Sequence, residues 1–236
     1  MSWLSLNRDF VLEMTLQHLR LAAPAIAISV VVAVVLGRIA WRWPRAGAVV
    51  LGAAGLLYSV PALPLLIVIP VLLGIPLRSG LTLVVALAIY GTALLAGTAA
   101  EAFRSVDPRV REAAEAMGYS RTGLLLRVDL PLALPVLLSG IRVISVSTVS
   151  LVTIGALVGI PSLGNLLTDG FQRGIQAEIV TGVVATMALA VLLDLVLVGL
   201  GIVLTPWNRR PGQRRRARVG VPGPSAVPDV VPGVAR

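Results

Sequence analysis

The residues able to do chemistry in this chain are few, and their types set narrow limits. There is one histidine, His18, and no cysteine; all 20 basic residues are arginine, with no lysine. Thiol catalysis, disulfides and Cys-ligated metals are excluded. A lone imidazole cannot build a metal site, and neither a paired-carboxylate site nor a nucleophile–His arrangement is visible. A Gly-x-x-x-x-Gly-Lys-Ser/Thr phosphate loop needs lysine, so the chain holds no such ATP site. The polar groups left to consider fall into four sets. They are Arg142 and Asp194, the hydroxyls of Ser139, Ser145, Ser147, Thr148, Ser150 and Thr153, the phenols Tyr58 and Tyr90, and a charged stretch from Glu112 to Pro131.

The elements that must position these groups are dictated by solvent. Of 236 residues, 57% are apolar and 13% charged, against about 25% charged in a soluble domain; the mean hydropathy is +0.93. So little charge cannot cover a water-exposed surface, and the bilayer must be the main solvent. A helix crosses it with about 20 mostly apolar residues. Residues 21–40, 46–75, 81–99, 132–158 and 179–205 qualify, with the second run interrupted by Pro61, Pro64 and Pro70. The expectation is an all-α integral membrane protein of about five spans. Six spans, with 46–75 making two short ones, and a re-entrant piece around Pro61 and Pro70 stay open.

Arginine placement orients the chain, because short cytoplasmic loops are enriched in basic residues. With the N-terminus outside, fifteen arginines fall inside: Arg38, Arg42, Arg45, Arg104, Arg109, Arg111, Arg121, Arg127 and the C-terminal group from Arg209 to Arg236. Only Arg8, Arg20, Arg78 and Arg173 fall outside. This favours five spans with the C-terminus in the cytoplasm. Residues 1–20 then form an extracytoplasmic segment, 21–205 the membrane domain with a cytoplasmic loop at 101–131, and 206–236 a disordered Arg/Pro-rich tail. No cleavable signal is visible. The sequence pI near 11.5 reflects topology and attraction to anionic lipid rather than nucleic acid.

Within the loop, Asp107 and Pro108 read as an N-cap followed by a first helical residue. Val110, Ala113, Ala114 and Met117 share one face, and Gly118 ends the helix. Ser120 caps a second short helix through Arg127, and Pro131 marks the turn into the fourth span. A small apolar face of this kind suits a groove on a partner protein or the headgroup surface of a bilayer.

The order of residues narrows that choice. Glu112-Ala113-Ala114, three residues, Gly118, nine residues, then Val128-Asp129-Leu130-Pro131 resembles the EAA motif of ABC importer permeases, the inner-membrane components of binding-protein-dependent transport systems. Val128 replaces the usual isoleucine. "YSVPALPLL", "IGALVGIPSLGNLL" and "DLPLALP" look like the glycine betaine, carnitine and choline branch, with Ile160-Pro161-Ser162 departing from its usual Ala and Gly. The resemblance covers roughly residues 15–207.

The resemblance implies a type I ABC importer permease fold in the bacterial cytoplasmic membrane, and a non-catalytic transport subunit. Glu112, Ala113, Ala114, Gly118, Val128, Leu130 and Pro131 would couple to ATPase subunits, which carry the ATP and Mg²⁺. A separate extracytoplasmic protein would deliver the solute, and a second permease, identical or sister, would complete the path. The solute implied is an osmoprotectant of quaternary ammonium type. Another small solute such as an amino acid, or an ion-coupled carrier working alone, are the competing readings.

Inside the spans, Arg142 and Asp194 lie at similar depth, about ten residues from the same membrane face at 1.5 Å per residue. They pair with each other, or snorkel separately, or pair across a dimer. The span-four hydroxyls, Ser147 and Thr148 among them, serve close helix packing or line the solute path. Tyr58 and Tyr90 anchor at the interface or face a quaternary ammonium. The Pro61 and Pro64 kink shapes the cavity wall.

Overall fold

The computed structural model describes residues 3–208. The elements in order are α1 (Trp3–Leu6), α2 (Arg8–Arg42), α3 (Pro44–Ser59), α4 (Ala62–Leu73), α5 (Gly80–Arg104), α6 (Pro108–Ala116), α7 (Arg121–Leu124), α8 (Leu130–Val152), α9 (Gly164–Arg173) and α10 (Gln176–Leu204). A π-helical turn, Leu125–Asp129, joins α7 to α8, and a 3-10 segment, Thr153–Val158, extends α8. Pro206–Asn208 make a 3-10 turn in a separate unit. The rest of the C-terminal tail lies outside the described residues.

Among the described residues, four segments are long and apolar enough to cross a bilayer: α2, α5, the run from Arg121 to Val158, and α10. The α3–α4 pair makes a fifth if its two parts, bent by 112°, count as one crossing. Packing shows that they do. Gly37 of α2 lies on Ala99 and Ala100 of α5, Ser29 on Gly91, and Leu21 on Gly80. The numbers rise together, so α2 and α5 run parallel, and the chain between them must return across the membrane once. α3 does the first part. It starts with Gly47 on Ala40 and climbs until Tyr58 meets Tyr90, ring centroids 5.2 Å apart. α4 continues, burying Leu65, Leu66 and Ile69 in one cluster with Leu83, Val84 and Leu87. Neither piece would span alone: 16 and 12 residues reach roughly 24 and 18 Å of about 30 Å.

The break has a local cause. Pro61 lacks the N–H that a continuous helix would use, and its ring drives Val60 out of the helical region. Val60 accordingly sits at φ −75°, ψ 127°. α4 then ends on Gly74 at φ +67°, a left-handed position natural to glycine.

α8 runs antiparallel to α5, with Gly140 on Leu95 and Thr98, and Gly155 on Leu83. α10 runs antiparallel to α8, with Gly201 opposite Leu138. Alanine and glycine along these seams let backbones approach, the usual basis of helix packing in a bilayer. The ends of α2 and α5, at Arg42 and Arg104, therefore share one face with the start of α8.

Three boundaries differ from the sequence expectation. The first crossing helix, α2, begins at Arg8 rather than at residue 21, and its added turns bury Met14 and His18; His18 Nε2 lies 2.9 Å from the Val149 carbonyl. Pro131 marks no turn: the chain stays helical from Arg121 through α8. The π-turn ends just before α8, so Pro131 falls in the first turn of that helix, where its ring is accommodated and the N–H it lacks costs least. Finally, the connection after α8 contains α9, whose Leu166 and Gly170 pack on Gly182 and Ile179 of α10.

Candidate functional site

At the arginine-rich face, α6 is built by its own termini. The Asp107 side chain accepts from the Arg109 N–H at 2.9 Å, and Pro108 follows at the first helical position. At the other end Gly118 adopts φ +84°. Its N–H reaches the Glu115 carbonyl at 3.0 Å, and the Tyr119 N–H reaches Ala114 at 3.2 Å. This is the paired bonding of a Schellman cap. Ser120 then accepts from the Gly123 N–H at 3.2 Å, capping α7.

The apolar face expected on α6 is divided. Ala114 is buried against the chain. Val110, Ala113 and Met117 are exposed, as are Glu112 and Gly118, Met117 at 72%. Val128, Leu130 and Pro131 are half-buried. The segment thus has one side fastened down and one side open for a partner.

The fastening is ionic and aromatic. Asp129, whose side chain is 2% exposed, meets Arg38 Nη1 of α2 at 2.9 Å and Arg111 Nη1 of α6 at 3.9 Å. Arg111 Nε also donates to Glu115 at 3.3 Å. Both guanidinium carbons stand over the Trp41 ring, at 4.4 Å for Arg38 and 4.6 Å for Arg111. Phe103 supports the group from α5, 5.5 Å from Arg38. A buried carboxylate needs such partners, because desolvating it alone costs several kcal/mol. Four elements, α2, α5, α6 and the π-turn before α8, converge on this cluster.

A second polar feature lies midway along α8 and α10. Arg142 Nε and Nη2 donate to the two carboxylate oxygens of Asp194 at 2.6 and 2.7 Å. The pair is open on its outer side, with side chains 45% and 29% exposed, among the exposed apolar groups Val143, Val146, Val191 and Leu195. Tyr58 and Tyr90 form their own pair on α3 and α5, beside the break, where Pro61 and Pro64 are exposed. Ser147 is half-buried and Thr148 buried, the latter against α5 near Gly91. Ser139, Ser145, Ser150 and Thr153 donate to carbonyls three or four residues back in their own helix. The sequence-chosen residues thus stand in separate places: Tyr58 and Tyr90 beside the α3–α4 break, Thr148 against α5, and Arg142 with Asp194 across α8 and α10.

Residues 29–210 match the family described as the binding-protein-dependent transport system inner membrane component. The chain belongs to this family. It is the permease component of a binding-protein-dependent ABC importer, placed in the inner membrane. The osmoprotectant import permease protein OsmW of Salmonella typhimurium is 33% identical, covering 86% of this chain and 96% of that one. The glycine betaine/carnitine/choline transport system permease protein OpuCD of Bacillus subtilis is 26% identical over 89% and 91%. Among solved structures, an inward-facing MetNI methionine ABC transporter matches with a TM-score of 0.68 at 20% identity, covering 85% of this chain and 97% of that chain. An amino acid ABC transporter matches at 0.65 and 17%, covering 88% and 99%. At these identities the structural likeness is one of fold: a type I importer permease.

Against that identity, the permease residues that sequence reasoning missed are Arg38, Trp41 and Asp129. A signal was present for two of them. Asp129 is the variable residue inside Val128-x-Leu130-Pro131, and Arg38 is a charge set before the end of an apolar run.

Proposed function

We propose that this permease imports osmoprotectants, small quaternary ammonium solutes such as glycine betaine, carnitine or choline. The similarity to OsmW along nearly the full length of both chains supports this reading. The arginine-rich face is cytoplasmic and the N-terminus outside, as the loop arginines favour. ATPase subunits, which bind ATP and Mg²⁺, receive the open side of α6 at Glu112, Ala113 and Gly118. A separate extracytoplasmic protein delivers the solute.

A second permease covers the α8–α10 face. The support is the Arg142–Asp194 pair: ionised groups at this depth face protein or a water-filled cavity rather than acyl chains. The solute passes between the two permeases. The Tyr58 and Tyr90 rings, at the break in α3–α4, offer aromatic faces to a quaternary ammonium. Discontinuous helices commonly carry binding sites in transporters.

The mechanism follows from the linkage at Asp129. ATP-driven closure of the ATPases displaces α6. The Arg111–Asp129–Arg38 contacts pass that displacement to α8 and α2 together, so the helices rock as bodies and the path opens outward. Hydrolysis resets it.

Reconstitution tests the reading. Proteoliposomes holding the permease, its ATPase and its binding protein should accumulate labelled glycine betaine only with internal ATP. Uptake of an amino acid but no quaternary ammonium solute would overturn the substrate assignment. Uptake without any ATPase would overturn the coupled mechanism.

A further inference from the structure

A cleft of about 350 Å³ opens beside α6, lined by Arg38, Arg42, Arg111, Arg121, Glu115 and Tyr119. Four guanidiniums stand there against two carboxylates, Glu115 and the neighbouring Asp129. Those carboxylates engage Arg38 and Arg111. Arg42 and Arg121 make no ion pair among the described residues. The cleft therefore carries excess positive charge and two uncommitted cations.

Its position is as informative as its charge. Arg38 and Arg42 stand one helical turn apart where the apolar run of α2 ends, flanking Trp41, with Trp43 58% exposed beside them. Tryptophan and arginine at the end of a span mark the headgroup level. Basic pockets between membrane helices at that level are suited to lipid phosphate. A phosphodiester brings one negative charge and two free oxygens, which match the spare guanidiniums and the Tyr119 hydroxyl as donors.

We infer that this cleft binds the phosphate of an anionic phospholipid headgroup, holding it between α2 and the coupling helix. A carboxylate of the ATPase is the competing occupant, and the geometry of α6 disfavours it. Arg111 and Glu115 share one helical stripe. The open residues Ala113 and Met117 lie two positions on, about 200° around the axis at 100° per residue. The partner-facing side and the cleft side of α6 thus point apart. Bound lipid would tie α6 to the end of α2, so the anionic fraction of the membrane would bear on the coupling segment.

Native mass spectrometry of the delipidated permease–ATPase complex tests this without reference to the solute. The complex is offered phosphatidylglycerol or phosphatidylcholine at equal concentration. The wild type should retain one phosphatidylglycerol per permease in preference to phosphatidylcholine. The Arg42→Gln/Arg121→Gln variant should lose that retention about tenfold, with phosphatidylcholine adducts unchanged. Arg104→Gln, at the same face but outside the cleft, should retain lipid like the wild type. If the double variant does not assemble, Arg121→Gln alone, at an exposed site, should show a smaller loss of the same kind. Equal retention in wild type and variant, an equal loss in Arg104→Gln, or displacement of the lipid by millimolar inorganic phosphate would each overturn the assignment. So would loss of ATPase from the double variant with lipid retention intact. Failure of osmoprotectant uptake, by contrast, would leave this result standing.

Discussion

Arg142 and Asp194 face each other across the α8–α10 seam with both carboxylate oxygens engaged, at 2.6 and 2.7 Å. Two-pronged contacts of this kind fix geometry as well as charge. Here they join helices that otherwise meet along a narrow seam, since of α10 only Glu178, Gly182 and Leu189 are buried within the chain. Removing either charge strands the other on an apolar helix. Arg142→Ala or Asp194→Ala should therefore lower the yield of assembled complex and the uptake rate at least tenfold. The exchange Arg142→Asp with Asp194→Arg should restore most of the assembly. Complex yield by size exclusion, read beside uptake, checks this; an exchange no better than the single variants would show that the pair acts through its surroundings rather than as a unit.

The cluster at Asp129 supports a different prediction. Asp129→Ala leaves Arg38 and Arg111 against the same Trp41 ring without the carboxylate that meets both. Breaking a buried pair from one side costs about 3 kcal/mol, so the melting temperature of the complex should fall. The more telling readout is coupling. If α6 moves α2 and α8 through this contact, ATP hydrolysis should continue while solute moved per ATP drops severalfold. Asp129→Glu should recover part of it, because the carboxylate remains. A variant that loses stability but keeps its solute-to-ATP ratio would assign the cluster to folding alone.

How much of this was legible beforehand depended on how local each cause is. The crossings were readable because each is an apolar run of sufficient length. The termini of α6 were readable because Asp107, Pro108 and Gly118 act within a few residues of themselves. The break at Pro61 was legible as a kink, but its 112° magnitude reflects where Leu65, Leu66 and Ile69 find their partners on α5. α9 was invisible: its ten residues fold as a helix because α10 offers Gly182 and Ile179 to pack on. The Arg38–Asp129 contact was hidden for the same reason, being made by segments that only the tertiary fold brings together. Arg142 and Asp194 were within reach of sequence reasoning because depth along a helix can be counted.

Orientation can be read directly, because the chain has no cysteine of its own. Ser120 lies in the exposed break between α6 and α7, and Gln172 is exposed on α9 at the opposite end of the helices. In right-side-out vesicles, an impermeant maleimide should label Gln172→Cys and spare Ser120→Cys. Permeabilisation should then expose Ser120→Cys, unless the ATPase shields it. The reverse pattern would place α6 outside the cytoplasm and remove the basis for ATPase coupling.

The parallel contact of α2 and α5 makes the sharpest test of the fold. A Cβ on Gly37 would lie 2.5 Å from the Ala99 Cβ and 2.7 Å from its carbonyl carbon, closer than atoms tolerate. The obstacle is backbone, so no rotamer change relieves it, and overpacking in a tight seam costs typically 1–3 kcal/mol or more. Gly37→Val should force α2 away from α5, disturb Arg38 and Trp41 next to it, and abolish assembly. Gly52, on α3, has nothing within 4 Å of its Cβ position, and alanine favours a helix over glycine by about 1 kcal/mol. Gly52→Ala should leave assembly and uptake as they are or slightly improved. Both substitutions put a Cβ on a helical glycine, and the two positions differ in what stands opposite that Cβ. Equal tolerance of both, measured by complex yield and melting temperature, would mean that α2 and α5 are not held as close as their parallel register requires, and the single broken crossing deduced from that register would fall with it.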